Sequence, residues 1–221
     1  MNIQFEPLIK TAAPNLLVVT VEAEVTNGPT PQALSDMLDR VGRDIAAVTQ
    51  LADVNKRPAI LATRLAYKAL GKEPNRYRPA AEALTRRVVK GLGLYKIDTL
   101  VDLINLISLQ SGYSIGGFDL DKIEGDMLVL GVGREDEPYE GIGRGRLNIA
   151  GMPVYRDAIG GVGTPTSDNE RTKISASTSR LLMTINIYGE EMPVADTIAL
   201  TTDLLSQFAE AHNVQINYFR P

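Results

Sequence analysis

The chain has no cysteine. That excludes disulfides, thiolate metal centres and a cysteine nucleophile. A reducing compartment suits such a composition, and the expectation is a cytoplasmic protein. There is a single histidine, His212, so a zinc centre rich in nitrogen or sulfur lacks its ligands. Nothing in the pattern of carboxylates points to magnesium, and no metal or cofactor is expected. No apolar run approaches the ~20 residues that span a bilayer, which predicts no membrane partner. The first residues, MNIQFEPLIKTAAPN, lack a basic stretch followed by an apolar one; the expectation is no signal peptide. Serine-nucleophile chemistry lacks both a G-x-S-x-G elbow and a nearby histidine.

What is present is globular in character. The 221 residues, 44% hydrophobic and 23% charged, suffice for one sizeable core. The expectation is a single domain over residues 1–221. Residues 15–25, NLLVVTVEAEV, read as a strand. Thr30 and Pro31 then read as N-cap and first residue of a helix, with Leu34, Met37, Leu38, Val41, Ile45 and Val48 at helical spacing. A second helix is predicted over 58–70, with Gly71 at its C-terminal end. A third is predicted from Pro79 to a stop at Gly91. Asp98 is placed to cap a fourth, TLVDLINLISLQSG, which is apolar around most of its circumference and so predicts a buried, central helix.

Beyond Gly112 the pattern changes. SIGGFD reads as a glycine-rich turn, and short apolar runs (MLVLGVG, RLNIAG, MPVYRD) then alternate with further glycine-rich turns, as in a small antiparallel sheet. ISASTSRLLMTINIYG supplies one or two further strands, Pro193 opens a last helix, and VQINYF closes the chain as a strand. Helices and strands mix without a βαβ period. The fold class expected is α+β, with several helices packed on a mixed, largely antiparallel sheet. His212 reads as a basic residue in the last turn of the final helix. Asp119 and Asp121 read as caps of local backbone, and Glu135 to Glu137 as a solvated turn.

Charge is uneven. Residues 56–96 hold eleven Lys and Arg against Glu73 and Glu82, a net of +9, which leaves −13 for the rest of a chain at −4. Lys and Arg beside phosphates supply sequence-independent affinity for nucleic acid. The same segment equally describes a solvated face paired with acids elsewhere. Tyr67, Tyr77 and Tyr95 lie within it, suited either to stacking on bases or to packing.

Two glycine-rich segments remain. YEGIGRGRL is not a dinucleotide fingerprint, for its third glycine is misplaced and no long helix follows; it reads as a tight turn between strands. Gly160 to Thr172, GGVGTPTSDNERT, brings Thr164, Thr166, Ser167, Asp168 and Arg171 into one short loop. Such a loop either binds a ligand through close backbone approach or satisfies its own turns.

One resemblance gathers these pieces. The run GLGLYKIDTLVDLINLI, then GGFDLDKIEGDMLV, then GGVGTPTSDNERTKI, together spanning about Arg86 to Thr178, resembles the paired third and fourth domains of the phenylalanyl-tRNA synthetase beta subunit. That module binds tRNA and hydrolyses misattached amino acids, notably tyrosine, with a positioned water. The remaining domains of a synthetase subunit do not fit in this length, and the amino-terminal part and Lys56 to Pro79 look more like free-standing relatives of the module. The resemblance implies a tRNA or aminoacyl-tRNA partner and an amino-acid pocket around Gly116, Phe118 and the loop from Thr164 to Arg171. The chain also departs from the family. Gly116 stands where the family has a histidine, and Thr164 and Pro165 fall where it has a glutamate. Asp168 and Glu170 are the carboxylates left as catalytic candidates. Arg76, Arg78, Arg86, Arg87 and Lys90 are the expected RNA contacts. The function expected is tRNA binding with hydrolysis of mischarged aminoacyl-tRNA in trans; the alternative is a non-catalytic pocket for a free amino acid or similar small ligand.

Overall fold

The computed structural model describes residues 1–221. In chain order, β1 (Asn2–Phe5) leads into α1 (Pro7–Ala12), β2 (Leu17–Glu24) and α2 (Gln32–Val48). Three helices follow: α3 (Pro58–Ala69), α4 (Ala80–Val89) and α5 (Thr99–Ser111). Then come β3 (Ser114–Asp119), β4 (Met127–Val132), β5 (Glu140–Gly141), β6 (Gly145–Arg146), β7 (Pro153–Arg156) and β8 (Gly161–Gly163). β9 (Arg180–Ile187), α6 (Val194–Ala209) and β10 (His212–Phe219) complete the chain. The fold is α+β.

One sheet runs in the order β10-β2-β9-β3 and is antiparallel throughout. A second runs β1-β4-β7-β8 and is mixed, because β1 pairs with β4 in parallel. The first sheet is covered on both faces. Val19, Val21, Met183 and Ile185 pack under α2, α5 and α6. Val18, Leu182 and Phe118 face Leu128, Leu130 and Tyr155 of the second sheet. Burial on both sides explains why β2 reads as a nearly unbroken apolar run.

Helix α5 is central, as its circumference implies. Leu100, Leu103, Leu106 and Ile107 are fully buried, and each truncation to alanine is expected to cost about 2–5 kcal/mol. Asp98 caps it, accepting a hydrogen bond from the Val101 amide at 2.9 Å. Gly112 ends it with φ +76°, a conformation that glycine adopts without a Cβ clash. Gly91 follows α4 in the same way, with φ +72°.

Several expectations change. SIGGFD, read as a turn, is the strand β3, and all six of its residues are buried. A Cβ on Gly117 would lie 2.4 Å from Ile104 Cδ1, so this glycine serves the close approach of α5 to the strand rather than a reversal of the chain. Thr30 does not cap α2. Its hydroxyl donates to Asp102 Oδ2 at 2.6 Å, and Pro31 precedes the first helical residue. RLNIAG forms no continuous strand; only Arg146 belongs to one. Asn2–Phe5, not anticipated, adds the parallel strand. His212 does not end α6, which stops at Ala209 with Glu210 at φ 49°. It begins β10, its Nε2 2.9 Å from Glu24 Oε2. Glu137, read as solvated, pairs with Arg156 at 2.7 Å. Burial opposes its charge, but that guanidinium and the Arg134 amide hold its pKa below the usual range. Asp119 does cap local backbone, accepting from the Asp121 amide at 3.2 Å and from the Thr178 hydroxyl at 2.9 Å.

Candidate functional site

The loop after β8 is built largely from its own side chains. Thr164 Oγ1 accepts hydrogen bonds from the amides of Thr166 and Ser167 at 3.2 and 3.1 Å, and donates to the Ser167 carbonyl at 3.0 Å. Asn169 Oδ1 accepts from the Arg171 amide at 2.9 Å. These are the local bonds by which Thr and Asn hold turns. The loop is then tied outward at three points. Thr166 Oγ1 meets the hydroxyl of buried Tyr67 at 2.8 Å. The Tyr139 hydroxyl donates to the Ser167 carbonyl at 2.7 Å. Asp168 Oδ2 accepts from the Gly117 amide at 3.1 Å.

Asp168 is the unusual group. Burial lifts its carboxyl to about 7, against a smaller opposing effect of the Gly117 amide. A carboxyl so shifted exchanges its proton near neutral pH, which is what proton-transfer chemistry needs. Glu170 pairs with Lys173 on the other side of a short helical turn. Arg171 donates to Asp157 Oδ1 at 2.8 Å and to the Lys122 carbonyl at 3.1 Å. Burial works against the charge on Asp157, but the amides of Glu124, Gly160 and Ile159, with Arg171, hold its pKa below the usual range.

A pocket of about 650 Å³ opens between this loop and the β5–β6 hairpin, lined by Tyr139, Glu140, Arg146, Ile159, Asn169 and Arg171 among others. Of the residues singled out in the sequence, Arg171 alone lines it. Thr164, Thr166, Ser167 and Asp168 do not line it; they belong to the loop whose Asn169 and Arg171 do, and the Tyr139 hydroxyl ties Ser167 to the lining. Gly116 and Phe118 are joined to that loop through the Gly117–Asp168 hydrogen bond, but both are buried. The Phe118 ring folds over two glycines: a Cβ on Gly116 would lie 2.7 Å, and one on Gly163 2.5 Å, from its Cζ. The space above Gly116 therefore holds an aromatic ring. Sequence reasoning missed Tyr139, Glu140 and Arg146. Their signal was the glycine hairpin itself, since Gly141 brings the hairpin within reach of Ser167 and bridges to Asn169.

The basic segment divides in two. Arg64 and Arg86 share Glu82, each at 2.7 Å, with Glu82 fully buried. Arg57 pairs with Glu191 at 2.7 Å, Lys56 with Asp53 at 2.7 Å and Lys96 with Asp39 at 2.6 Å. Lys72 is buried, which lowers its pKa, and donates to the carbonyls of Asn148 and Ala150. Lys68, Arg76, Arg78, Arg87 and Lys90 have no carboxylate partner. Arg87 lies 4.0 Å over the ring of Tyr95, which is 70% exposed. Of the five expected RNA contacts, Arg86 is thus committed inside the fold and the other four are free of ion pairs.

The turn carrying Arg76 and Arg78 lies against the pocket. The Ala80 amide donates to the Pro165 carbonyl at 2.7 Å, and Tyr77 packs against the cluster containing Tyr139. No group of three or more His, Cys, Asp or Glu side chains is arranged to hold a metal ion.

Residues 62–211 match the B3/4 domain family. The chain belongs to this family. The B3/4 domain is found in the phenylalanyl-tRNA synthetase beta subunit, so the chain is a phenylalanyl-tRNA synthetase beta-like module. Its matched stretch runs from α3 to just past α6 and takes in the basic turn, β3, the loop and the pocket. β2 and β10, which pair within the same sheet, lie outside it. Among solved structures, the chain is similar to an N-terminal fragment of the phenylalanyl-tRNA synthetase beta subunit from Pyrococcus horikoshii. The identity is 12% and the TM-score 0.46, over 97% of this chain and 50% of that one. The B3/4 chain thus spans about half the length of that fragment. No curated protein matches it, and no helix is long and apolar enough to cross a membrane.

Proposed function

We propose that this B3/4 chain binds tRNA and receives its aminoacylated 3′ end in the pocket between the β5–β6 hairpin and the loop after β8. The observation that carries this reading is the adjacency of the pocket to a turn whose two arginines, Arg76 and Arg78, have no carboxylate partner. Phosphates alongside that turn bring the chain end to Arg146 and Arg171, which suit a terminal phosphate or a ribose hydroxyl. Arg87 with Tyr95, and Lys90 beside them, extend the cationic surface and offer an exposed ring for a base. Family membership supports the same partner.

Hydrolysis of the ester rests on Asp168. With its pKa near 7 it suits the activation of a water beside the bound ester at neutral pH. A screen of mischarged tRNAs with the wild type and Asp168→Ala tests this directly. Release of at least one amino acid by the wild type, reduced roughly tenfold or more in the variant, is the expected outcome. Equal rates would remove Asp168 from the chemistry.

A specific observation favours a second reading, a pocket that binds a free amino acid without hydrolysis. The Phe118 ring occupies the space over Gly116, where the resemblance would set a histidine. Stabilisation by free amino acids in a thermal-shift screen, without release from any aminoacyl-tRNA, would select that reading over the first.

A further inference from the structure

The two ends of the first sheet are treated differently. At the β3 end the outer backbone is covered: Asp168 takes the Gly117 amide, and Phe118 bridges to Lys173. At the other end, β10 pairs with β2 alone. A bulge at its start, where Asn213 adopts φ 53°, leaves Val214 to Phe219 as a straight segment. That segment, VQINYF, carries no charge, proline or glycine. Proteins commonly blunt a sheet edge with lysine, proline or a covering loop, because an open edge is a template for another strand. β10 has none of these over its straight length, and Val214 and Tyr218 are 38% and 56% exposed.

We infer that β10 is a docking edge for a second copy of this chain, joined by antiparallel β10–β10 pairing about a two-fold axis at Ile216. This inference is independent of the aminoacyl-tRNA reading.

The segment's own sequence selects the partner and the register. With Ile216 opposite Ile216, Val214 meets Tyr218 of the other copy, an aliphatic–aromatic pair of a kind that stabilises strand pairing. Gln215 meets Asn217, amide to amide. Shifting the axis by half a residue opposes Ile216 to Asn217 and Gln215 to Tyr218. Moving it to Asn217 opposes Gln215 to Phe219. A Gln215-centred register also opposes like with like but reaches five pairs only by drawing in Asn213, which the bulge sets at φ 53°; within the straight segment, the Ile216-centred register gives five such pairs. Beyond the ladder, Arg220 comes opposite His212, which already shares the carboxylate of Glu24. The covered β3 edge cannot repeat the contact, so the assembly closes at two copies. A ladder this short, with little flanking surface, belongs to the weak, transient class of interface.

Sedimentation velocity over a concentration series up to about 1 mM tests the proposal. The wild type is expected to move from monomer to dimer and no further. Val214→Lys with Tyr218→Lys opposes like charges twice and is expected to stay monomeric throughout. Both side chains are exposed, so the fold should survive, as circular dichroism would verify. Val214→Glu with Tyr218→Glu should also be monomeric alone, and an equimolar mixture of the two double variants should dimerise. A wild type that remains monomeric, or that forms open-ended assemblies, would overturn the inference. So would a lysine variant that dimerises like the wild type, or a mixture that fails to associate. Were either variant unfolded, hydrogen exchange on the wild type decides: protection of the alternate amides of Val214–Phe219 that face away from β2 must rise with concentration, and concentration-independent exchange at those amides refutes the pairing.

Discussion

Replacing Asp168 with asparagine should stabilise the protein at alkaline pH and leave it unchanged in acid. The loop holds this carboxyl where burial lifts its pKa from an ordinary 3.8 to about 7. Between those values the folded state keeps a proton that the unfolded state has lost. Stability attributable to this group is therefore full below pH ~4, falls as pH rises, and is gone above pH ~7. At ~1.4 kcal/mol per unit of pKa, the ceiling on the loss is on the order of 4 kcal/mol. The residue is half-buried rather than sealed, and screening by solvent brings the expectation to about 2 kcal/mol. Asparagine retains an oxygen for the Gly117 amide, now 3.1 Å from Asp168 Oδ2, and cannot ionise. Urea denaturation of the wild type and Asp168→Asn at pH 4, 6 and 8 measures the difference. It should be near zero at pH 4 and reach about 2 kcal/mol in favour of the variant at pH 8. A variant less stable than the wild type at pH 8, or a difference that does not change with pH, would refute the argument.

Glu82→Ala strands Arg64 inside the protein and releases Arg86, and should lower stability by about 3–5 kcal/mol in the same denaturation assay. Gly133→Ala would set a Cβ 2.0 Å from the Ile149 carbonyl oxygen. Backbone cannot yield as a side-chain tip can, so the expected loss is about 3 kcal/mol or a failure to fold, read by denaturation or soluble yield. Arg76→Ala with Arg78→Ala should weaken tRNA binding and lower the dependence of log affinity on log salt by about 2. An unchanged slope would make that turn a solvated face.

Most of the helical layer was legible because its signals are local. Asp98 and Gly112 bound α5, Gly91 follows α4, and the apolar circumference of α5 foretold its place at the centre. β3 was misread because a Gly-Gly pair is locally a turn signal. Here the pair answers to distant partners, Ile104 beside one glycine and the Phe118 ring over the other. The basic segment was legible as a sum and not as a surface. Composition gives eleven cations, but Glu82, Glu191, Asp53, Asp39 and two carbonyls engage six of them, and those pairings depend on tertiary structure. The same limit hid the pocket: the loop from Thr164 to Arg171 was visible as chemistry, whereas Tyr139, Glu140 and Arg146 join it only because the β5–β6 hairpin folds over it.

This surface is proposed to bind the aminoacylated end of tRNA. The most direct test is a titration of the wild-type chain with an aminoacylated tRNA and with the same tRNA deacylated, across a range of salt. Both are expected to bind, with a log–log salt slope no steeper than about −6 from the five unpaired cations of the basic segment together with Arg146 and Arg171, and the aminoacylated form is expected to bind more tightly. No binding at low salt, or equal affinity for the two forms, would contradict it.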